Sequence, residues 1–524
     1  MMQLINKKKY IRLLALVIVI LATLLTSIYY QLPALKDYYT VNDDTRVHVW
    51  VFHHINDNTI FKDYPFLELM KIQPVGYNAI YYILYHILGI DLIFLTKILP
   101  FIINLGIALF VFKIGEKFKN KFVGLGASFI FLFQIWAFPT LSGGLPRSFS
   151  YLFITAFLFY FIKKNMKMIL LTMLLALLVY PISFLIILCV YFGEITCRLL
   201  RSKVKKDFMK KKIAQYLLLS FMFVIFMLLI YNPFEHSKNF ASLKDVKEMT
   251  EFSSSGRVPI YPFKNIIQII LTWSAPLLYI TLLLVTLNLI VHKKIPKIRR
   301  PIWLLALTGI ILHYLSINIL FMLHDFRRYT RYTIPLVLAL VCSYNLYFLI
   351  KDLKKRKLAI YFLGISVIIL FIFPTTNSDL ITCEHRELYS FLSKQNKDIL
   401  VAGHPDISSC IPLFAKRKVL MSDELVNPIT IKIYNENKQK IFDFFSVYYS
   451  NKTEIDKFCR KYGIDFIMVD KGHYNSKYIN STIYFEPWDT KIKEIVKDNK
   501  EYYFIKNIES LIRINENIYL YRCK

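Results

Sequence analysis

Long apolar runs punctuated by short clusters of lysine and arginine constrain this chain more than any other feature. The first run, LLALVIVILATLLTSIYYQL (13–32), follows the basic stretch NKKKYIR (6–12). About 18 or more apolar residues in a row suffice to cross hydrocarbon as a helix, the form in which every backbone N–H and C=O is satisfied within the segment. A secretory signal has the same basic start. This run is long and carries no clear small-residue cleavage site, so it reads as a retained first helix. With 56% hydrophobic residues and a mean hydropathy of +0.43, the chain is too apolar for an ordinary soluble domain.

The net charge of +30 raises the question of nucleic acid, and its distribution answers it. Residues 1–374 hold 43 Lys+Arg against 16 Asp+Glu, whereas residues 375–524 hold 23 against 20. The excess therefore sits with the apolar runs, where cytoplasmic loops carry positive charge. No basic face interleaved with stacking aromatics occurs in the polar part, so nucleic acid is not an expected partner. The clusters at 6–12, 113–121, 163–167, 198–212, 292–300 and 351–357 hold 29 of those 43 basic residues. Taken as cytoplasmic markers, they imply eleven spans, near 13–32, 92–112, 122–141, 147–162, 168–181, 183–200, 213–231, 265–291, 301–323, 333–350 and 357–374. The N-terminus falls inside and the C-terminus outside. The break between 181 and 183 rests on YPIS (180–183), where proline marks a turn.

The fold class expected is an α-helical polytopic membrane protein with an extracytoplasmic α/β domain: a transmembrane domain over 1–374 and the outer domain over 375–524. In the tail, the strand-like runs DILVAG (398–403), RKVLMS (417–422), DFIMVD (465–470) and NIYLYRC (517–523) are separated by helical patterns such as KIFDFFSVYYS (440–450),. Cys383, Cys410, Cys459 and Cys523 lie there and allow three disulfide pairings, while Cys189, Cys197 and Cys342 fall in spans as packing residues,. Two further outer segments are the first loop, 33–91, and a polar loop, 232–264, expected to be mobile in part. The aromatic stretch 61–91 reads as interfacial helices with Tyr81, Tyr82 and Tyr85 at headgroup depth.

Three motifs carry potential chemistry, all on the outer side of this topology. In VNDDTRVHVWVFHH (41–54), Asp43 and Asp44 are either first-turn carboxylates behind an Asn42 or Asp43 N-cap, or a general base at the membrane surface,. The second carboxylate then orients the first or helps bind a divalent cation. Arg46 pairs with an aspartate or a phosphate, His48 follows at helical spacing, and His53 and His54 read as surface residues. In LSGGLPRSFSY (141–151), Gly143 and Gly144 make a turn and Pro146 starts a helix, which places Arg147 beside free N–H groups as an anion site or as a snorkelling cation,. In LHDFRRYTRYTIP (323–335), Arg327, Arg328 and Arg331 crowd the side that normally avoids positive charge. They serve either phosphate binding, with His324 and Asp325 orienting them, or salt bridges to the loops,. Carboxylates and arginines on one side point to a phosphate-linked donor delivered within the membrane, a polyprenyl-phosphate sugar.

With NDDTR after the first helix, about eleven spans, and RRYTRYTIP similar to an Arg-Tyr-x-x-Pro element, the chain resembles the GT-C superfamily of integral-membrane glycosyltransferases. That class includes protein O-mannosyltransferases and lipid A aminoarabinose transferases. The segments VAGHPDISSCIPLFAKRKVLMSDE and YGIDFIMVDKGHY resemble the external α/β domain of bacterial and archaeal members. The resemblance implies inverting transfer to a lipid, glycan or protein acceptor. Asp43 or Asp44 would be the base, with the balance toward Asp44, and Arg147 with Arg327 and Arg331 would hold the lipid phosphate. The Trp-Trp-Asp-Tyr-Gly motif of oligosaccharyltransferases is missing, EPWDT (486–490) being the nearest string, which speaks against en bloc transfer to asparagine. No Glu-x-Asp element accompanies the aspartates, so a divalent cation is not a firm expectation. A flippase or transporter of lipid-linked saccharide would place polar residues through the middle of several spans; here few, such as Lys97 and His313, do so. A non-catalytic anchor with a binding ectodomain would tolerate loss of the aspartates.

Overall fold

The first apolar run lies within one continuous helix, Met2–Lys36, about 52 Å long at 1.5 Å per residue,. The computed structural model describes residues 2–68, 70, 73–136, 141–201, 221, 224–225, 238–258, 266–293, 299–318, 326–351, 379–423, 425–481, 483–498 and 502–523. Further long helices occupy Leu92–Phe118, Lys121–Trp136, Ser150–Lys163, Met166–Val179, Pro181–Arg201, Ile266–His292, Arg300–Asn318 and Arg327–Lys351. Each lies on an expected span, and the break falls at Tyr180, before the proline whose ring disfavours helix in the residue ahead of it,. The expected spans 213–231 and 357–374 fall almost wholly outside the described residues.

Among the described helices, Tyr10–Lys36, Leu92–Phe118 and Arg327–Lys351 are long and apolar enough to cross a membrane. Leu13, Leu21 and Leu25 point outward from the first of these and are exposed, a surface suited to lipid rather than water,. Arg327–Lys351 lies at the centre of the bundle, 78% of its apolar window being buried, and packs against Lys121–Trp136, Ile266–His292 and Arg300–Asn318. Leu92–Phe118 and Lys121–Trp136 form a hairpin so close that a Cβ on Gly115 would lie 2.6 Å from the Gly124 Cα, which excludes larger residues,.

A short antiparallel ladder joins the two ends of this bundle. Strand β1 (Thr40–Asn42) follows the first helix and pairs with β2 (Leu380–Thr382), in the register Thr40↔Thr382 to Asn42↔Leu380. Beyond β2 a five-stranded sheet runs in the order β4 (Lys418–Val419), β3 (Leu400–Ala402), β5 (Phe466–Asp470), β7 (Ile518–Arg522) and β6 (Ile512–Arg513). The pairs β3–β4 and β3–β5 are parallel, and β7 is antiparallel to β5 and β6. Each of the four strand-like runs read from the sequence supplies one strand of this sheet. KIFDFFSVYYS falls in the helix Ile431–Tyr448, which buries Tyr434, Ile441, Phe444 and Phe445. The four outer cysteines pair as Cys383–Cys410 and Cys459–Cys523.

The polar loop expected to be mobile is tied down over 238–258. Ala241, Val246 and Phe252 form a small core with Phe326, the Ala241 N–H donates to Ile429 O at 2.9 Å, and Arg257 pairs with Asp423 at 2.8 Å. EPWDT is also structural. The Trp488 indole donates to the Tyr434 hydroxyl at 2.7 Å, and Asp489 accepts the Ile483 N–H at 2.7 Å.

Candidate functional site

The acid loop is built at the corner where the first helix ends. Helix C-termini leave carbonyls without internal partners, and here Lys97 Nζ donates to Asp37 O at 2.7 Å and Tyr38 O at 3.1 Å. The chain then turns into β1. The ladder is extended at both ends, by Cys383 N–H to Tyr39 O at 3.0 Å and by Asp43 N–H to Asp379 O at 2.8 Å. The single turn Thr45–His48 follows, with Asp44 at its N-cap position. Neither Asn42 nor Asp43 is that cap, and the Asp44 side chain makes no capping bond. Instead Asn42 Oδ1 accepts the Asp44 N–H at 3.2 Å, which leaves the Asp44 carboxylate to face elsewhere.

It faces Arg147. Gly143 and Gly144 have φ of 84° and 61°, left-handed values that only glycine adopts freely,. A Cβ on Gly143 would lie 2.8 Å from Thr45 Oγ1 and 2.9 Å from Asn42 Cβ, so this turn sits directly on the acid loop. Asn42 Nδ2 donates to Ser142 Oγ at 2.6 Å, and Pro146 begins the short turn Pro146–Phe149 that leads into the next helix. Arg147 is thereby brought into an ion pair with Asp44, and its other Nη donates to Asn42 Oδ1 at 3.3 Å. Asp43 is paired with Arg46 three residues on.

The arginine helix closes the far side. Arg328 donates to the Tyr180 hydroxyl at 3.0 Å, Tyr180 meets the Tyr332 hydroxyl at 3.1 Å, and the Tyr151 hydroxyl donates to Arg331 O. Burial pushes the Asp44 carboxyl up, but the opposing charges of Arg147, His48 and Arg328 outweigh it, and the net shift is downward,. Although closely surrounded, the Asp44 side chain keeps 32% of its surface open. His48 is pushed down to about 4 by burial and by Arg147 and Arg328, against the pull of Asp44, so it is neutral near pH 7. Asp379 is raised by burial and by Asp44 and Asp43, with Arg147 and Arg331 opposing.

The structure thus gathers Asp43, Asp44, Arg46, His48, Arg147, Arg328 and Arg331. Arg327 opens its helix, but its charge is not among those that dominate at Asp44 or Asp379. His324 and Asp325 lie outside the described residues. His53 is not a surface residue: it is 5% exposed, within reach of the Tyr85 hydroxyl at 3.2 Å and Leu413 O at 2.9 Å, because the C-terminal sheet region covers this loop. Tyr64 likewise donates to Val419 O at 2.7 Å. Tyr81, expected at headgroup depth, is fully buried against Phe52, ring centroids 4.7 Å apart, whereas Tyr82 is exposed. Sequence reading missed Asp379 and Tyr180 as members of this centre. No sequence signal marked Asp379, which lies between the last apolar run and the first strand-like run together with Glu384 and Glu387. Among the described residues, no group of three His, Cys, Asp or Glu side chains is arranged to hold a metal ion.

No family model matches the chain, and no curated protein does. Solved structures do. The oligosaccharyltransferase of Archaeoglobus fulgidus tethered to an acceptor peptide containing an NVT sequon superposes with a TM-score of 0.59 at 12% identity, covering 94% of this chain and 72% of that one. Its apo form gives 0.55 at 12% identity over 93% and 73%. Its complex with an inhibitory peptide and a dolichol-phosphate gives 0.55 at 12% identity over 91% and 71%. At the level of fold, this chain is similar to an archaeal oligosaccharyltransferase, a GT-C-type membrane glycosyltransferase.

Proposed function

We propose that this protein transfers a sugar from a polyprenyl-phosphate donor to a hydroxyl of a lipid, glycan or protein acceptor, with inversion. The centre faces the outer side of the membrane, with the N-terminus cytoplasmic and the C-terminal sheet region outside. The observation that carries this reading is the meeting of Asp44 and Asp379 with Arg147, Arg328 and Arg331 in a chain folded like an enzyme that was solved with dolichol-phosphate. Arginine forks match phosphate oxygens, so Arg328 and Arg331 hold the lipid phosphate and offset charge as the glycosidic bond breaks. Asp44, kept ionised by its cations, orients the acceptor hydroxyl with Asp43 beside it, and the hydroxyl proton passes to a carboxylate of the centre. His48, neutral, is limited to hydrogen bonding.

Membranes containing the full chain, supplied with radiolabelled polyprenyl-phosphate sugars, test the proposal. The wild type should move label from the lipid to an acceptor, and Asp44→Asn and Arg331→Ala should each reduce that transfer at equal expression. Transfer unaffected by both substitutions would refute the site.

A further inference from the structure

Three carboxylates face the arginines of this centre, and the third comes from the opposite end of the chain. Asp379 stands one residue before β2, and its C=O accepts the Asp43 N–H at 2.8 Å. Its φ is 45°, in the left-handed region that aspartate tolerates but adopts only where neighbouring structure imposes it,. The β1–β2 ladder begins at the next residue, Leu380, so Asp379 stands beside the acid loop.

The loop aspartates are already engaged, Asp43 by Arg46 and Asp44 by Arg147. Among the described residues, the Asp379 carboxyl makes neither an ion pair nor a hydrogen bond; what acts on it is burial and the charges of Arg147, Asp44, Asp43 and Arg331. A general base works best when its proton affinity approaches the operating pH. Asp44 is displaced the wrong way by its cations, whereas burial and two neighbouring carboxylates displace Asp379 the right way.

We propose that Asp379 is the general base of the reaction, with Asp43 and Asp44 as charged positioning groups; the assignment rests on reading this centre as a site of glycosyl transfer. The acceptor O–H proton moves to an Asp379 carboxylate oxygen as the acceptor oxygen forms its bond to the anomeric carbon. The bond from that carbon to the phosphate oxygen breaks, and its electron pair leaves with the polyprenyl phosphate. The Asp43–Arg46 and Asp44–Arg147 pairs stay intact throughout.

The test uses the full-length protein and a radiolabelled polyprenyl-phosphate sugar that the wild type turns over. Asp379→Asn keeps the side-chain shape and tolerates the left-handed backbone. It should lower kcat by about 10²- to 10⁴-fold with the donor KM within a few-fold, and should abolish the acidic limb of the wild-type pH profile. Asp379→Gly suits the positive φ, so it should fold without penalty, and added formate should restore part of its rate. Asp44→Asn should instead leave the acidic limb in place. The assignment is overturned if Asp379→Asn retains kcat within about threefold, or if its acidic limb persists and formate rescues nothing. A wild type that transfers no sugar would sink the glycosyl-transfer reading itself, and this assignment with it.

Discussion

Arg147 pairs with Asp44 across 103 positions of sequence, locking the acid loop to the Gly-Gly turn. The cation expected to await an anion already holds one, supplied by the protein. Under the proposed function, a substrate phosphate meets an ion pair already formed, with Arg328 and Arg331 nearby. That arrangement favours a ligand carrying both a phosphate and a hydroxyl-bearing partner over a bare anion.

Arg147→Met should destabilise the protein by about 1–3 kcal/mol, less than the loss of a fully buried pair because Asp44 is 32% exposed,. The Asp44 carboxyl lies below its ordinary value in the fold, so its contribution is present above the usual carboxylate range and disappears as pH falls through the folded value,. Melting temperatures of wild type and variant in detergent should therefore differ at pH 7 and converge in strong acid. Adding Asp44→Asn to Arg147→Met should recover part of the loss, since the carboxylate that lost its partner is then gone.

The three arginines of the late helix should separate kinetically. Arg328→Ala and Arg331→Ala are each expected to raise the donor KM about tenfold or more, the scale of a charge-assisted hydrogen bond. Arg327→Ala should do less, because other charges dominate at Asp44 and Asp379. Tyr180→Phe, which removes the 3.0 Å bond to Arg328, should fall between them. Initial rates over a donor concentration series would rank the four variants.

The two disulfides should have different consequences. Closing loops of 27 and 64 residues stabilises by about 3.5 and about 4 kcal/mol on the chain-entropy model. Cys459→Ser should lower thermal stability and leave kcat near wild type. Cys383 sits at the end of the β1–β2 ladder, where its N–H bonds Tyr39 O, so Cys383→Ser should lower both stability and kcat.

Buried histidines should shape acid sensitivity. His53, His404 and His473 are each pushed down to about 3, chiefly by burial. The unfolded chain therefore binds protons that the folded one refuses, and stability should decline from about pH 6.5 downward toward pH 3. His404→Asn, which loses the 2.9 Å contact with the Tyr478 hydroxyl, should melt lower than wild type at pH 7.5 yet show a shallower fall between pH 7 and pH 5.

The bundle was legible in sequence because a helix that crosses hydrocarbon must be apolar along its whole length, and that requirement writes itself as long apolar runs. Asp44, Arg147 and Arg331 were legible for the complementary reason, as charges placed where charge is costly unless used. The short elements were not. β1 and β2 have three residues each, too few to show a period of two, so nothing marked Asn42 and Leu380 as partners. His53 was misread because a five-residue helix, Phe52–Asn56, gives no face to judge, and its cover comes from Leu413 far along the chain. Asp379 follows from the same cause, its place in the centre being set by a pairing invisible in the linear order.

The β1–β2 ladder joins positions 342 residues apart in Thr40 and Thr382. A ribosome that has released the first loop must still make most of the protein before the partner strand exists. The ladder therefore cannot form until at least 382 of the 524 residues have been made. A truncated product lacking β2 would carry Asp44 and Arg147 but not the strand paired with Thr40–Asn42, and under the proposed function it should transfer no sugar.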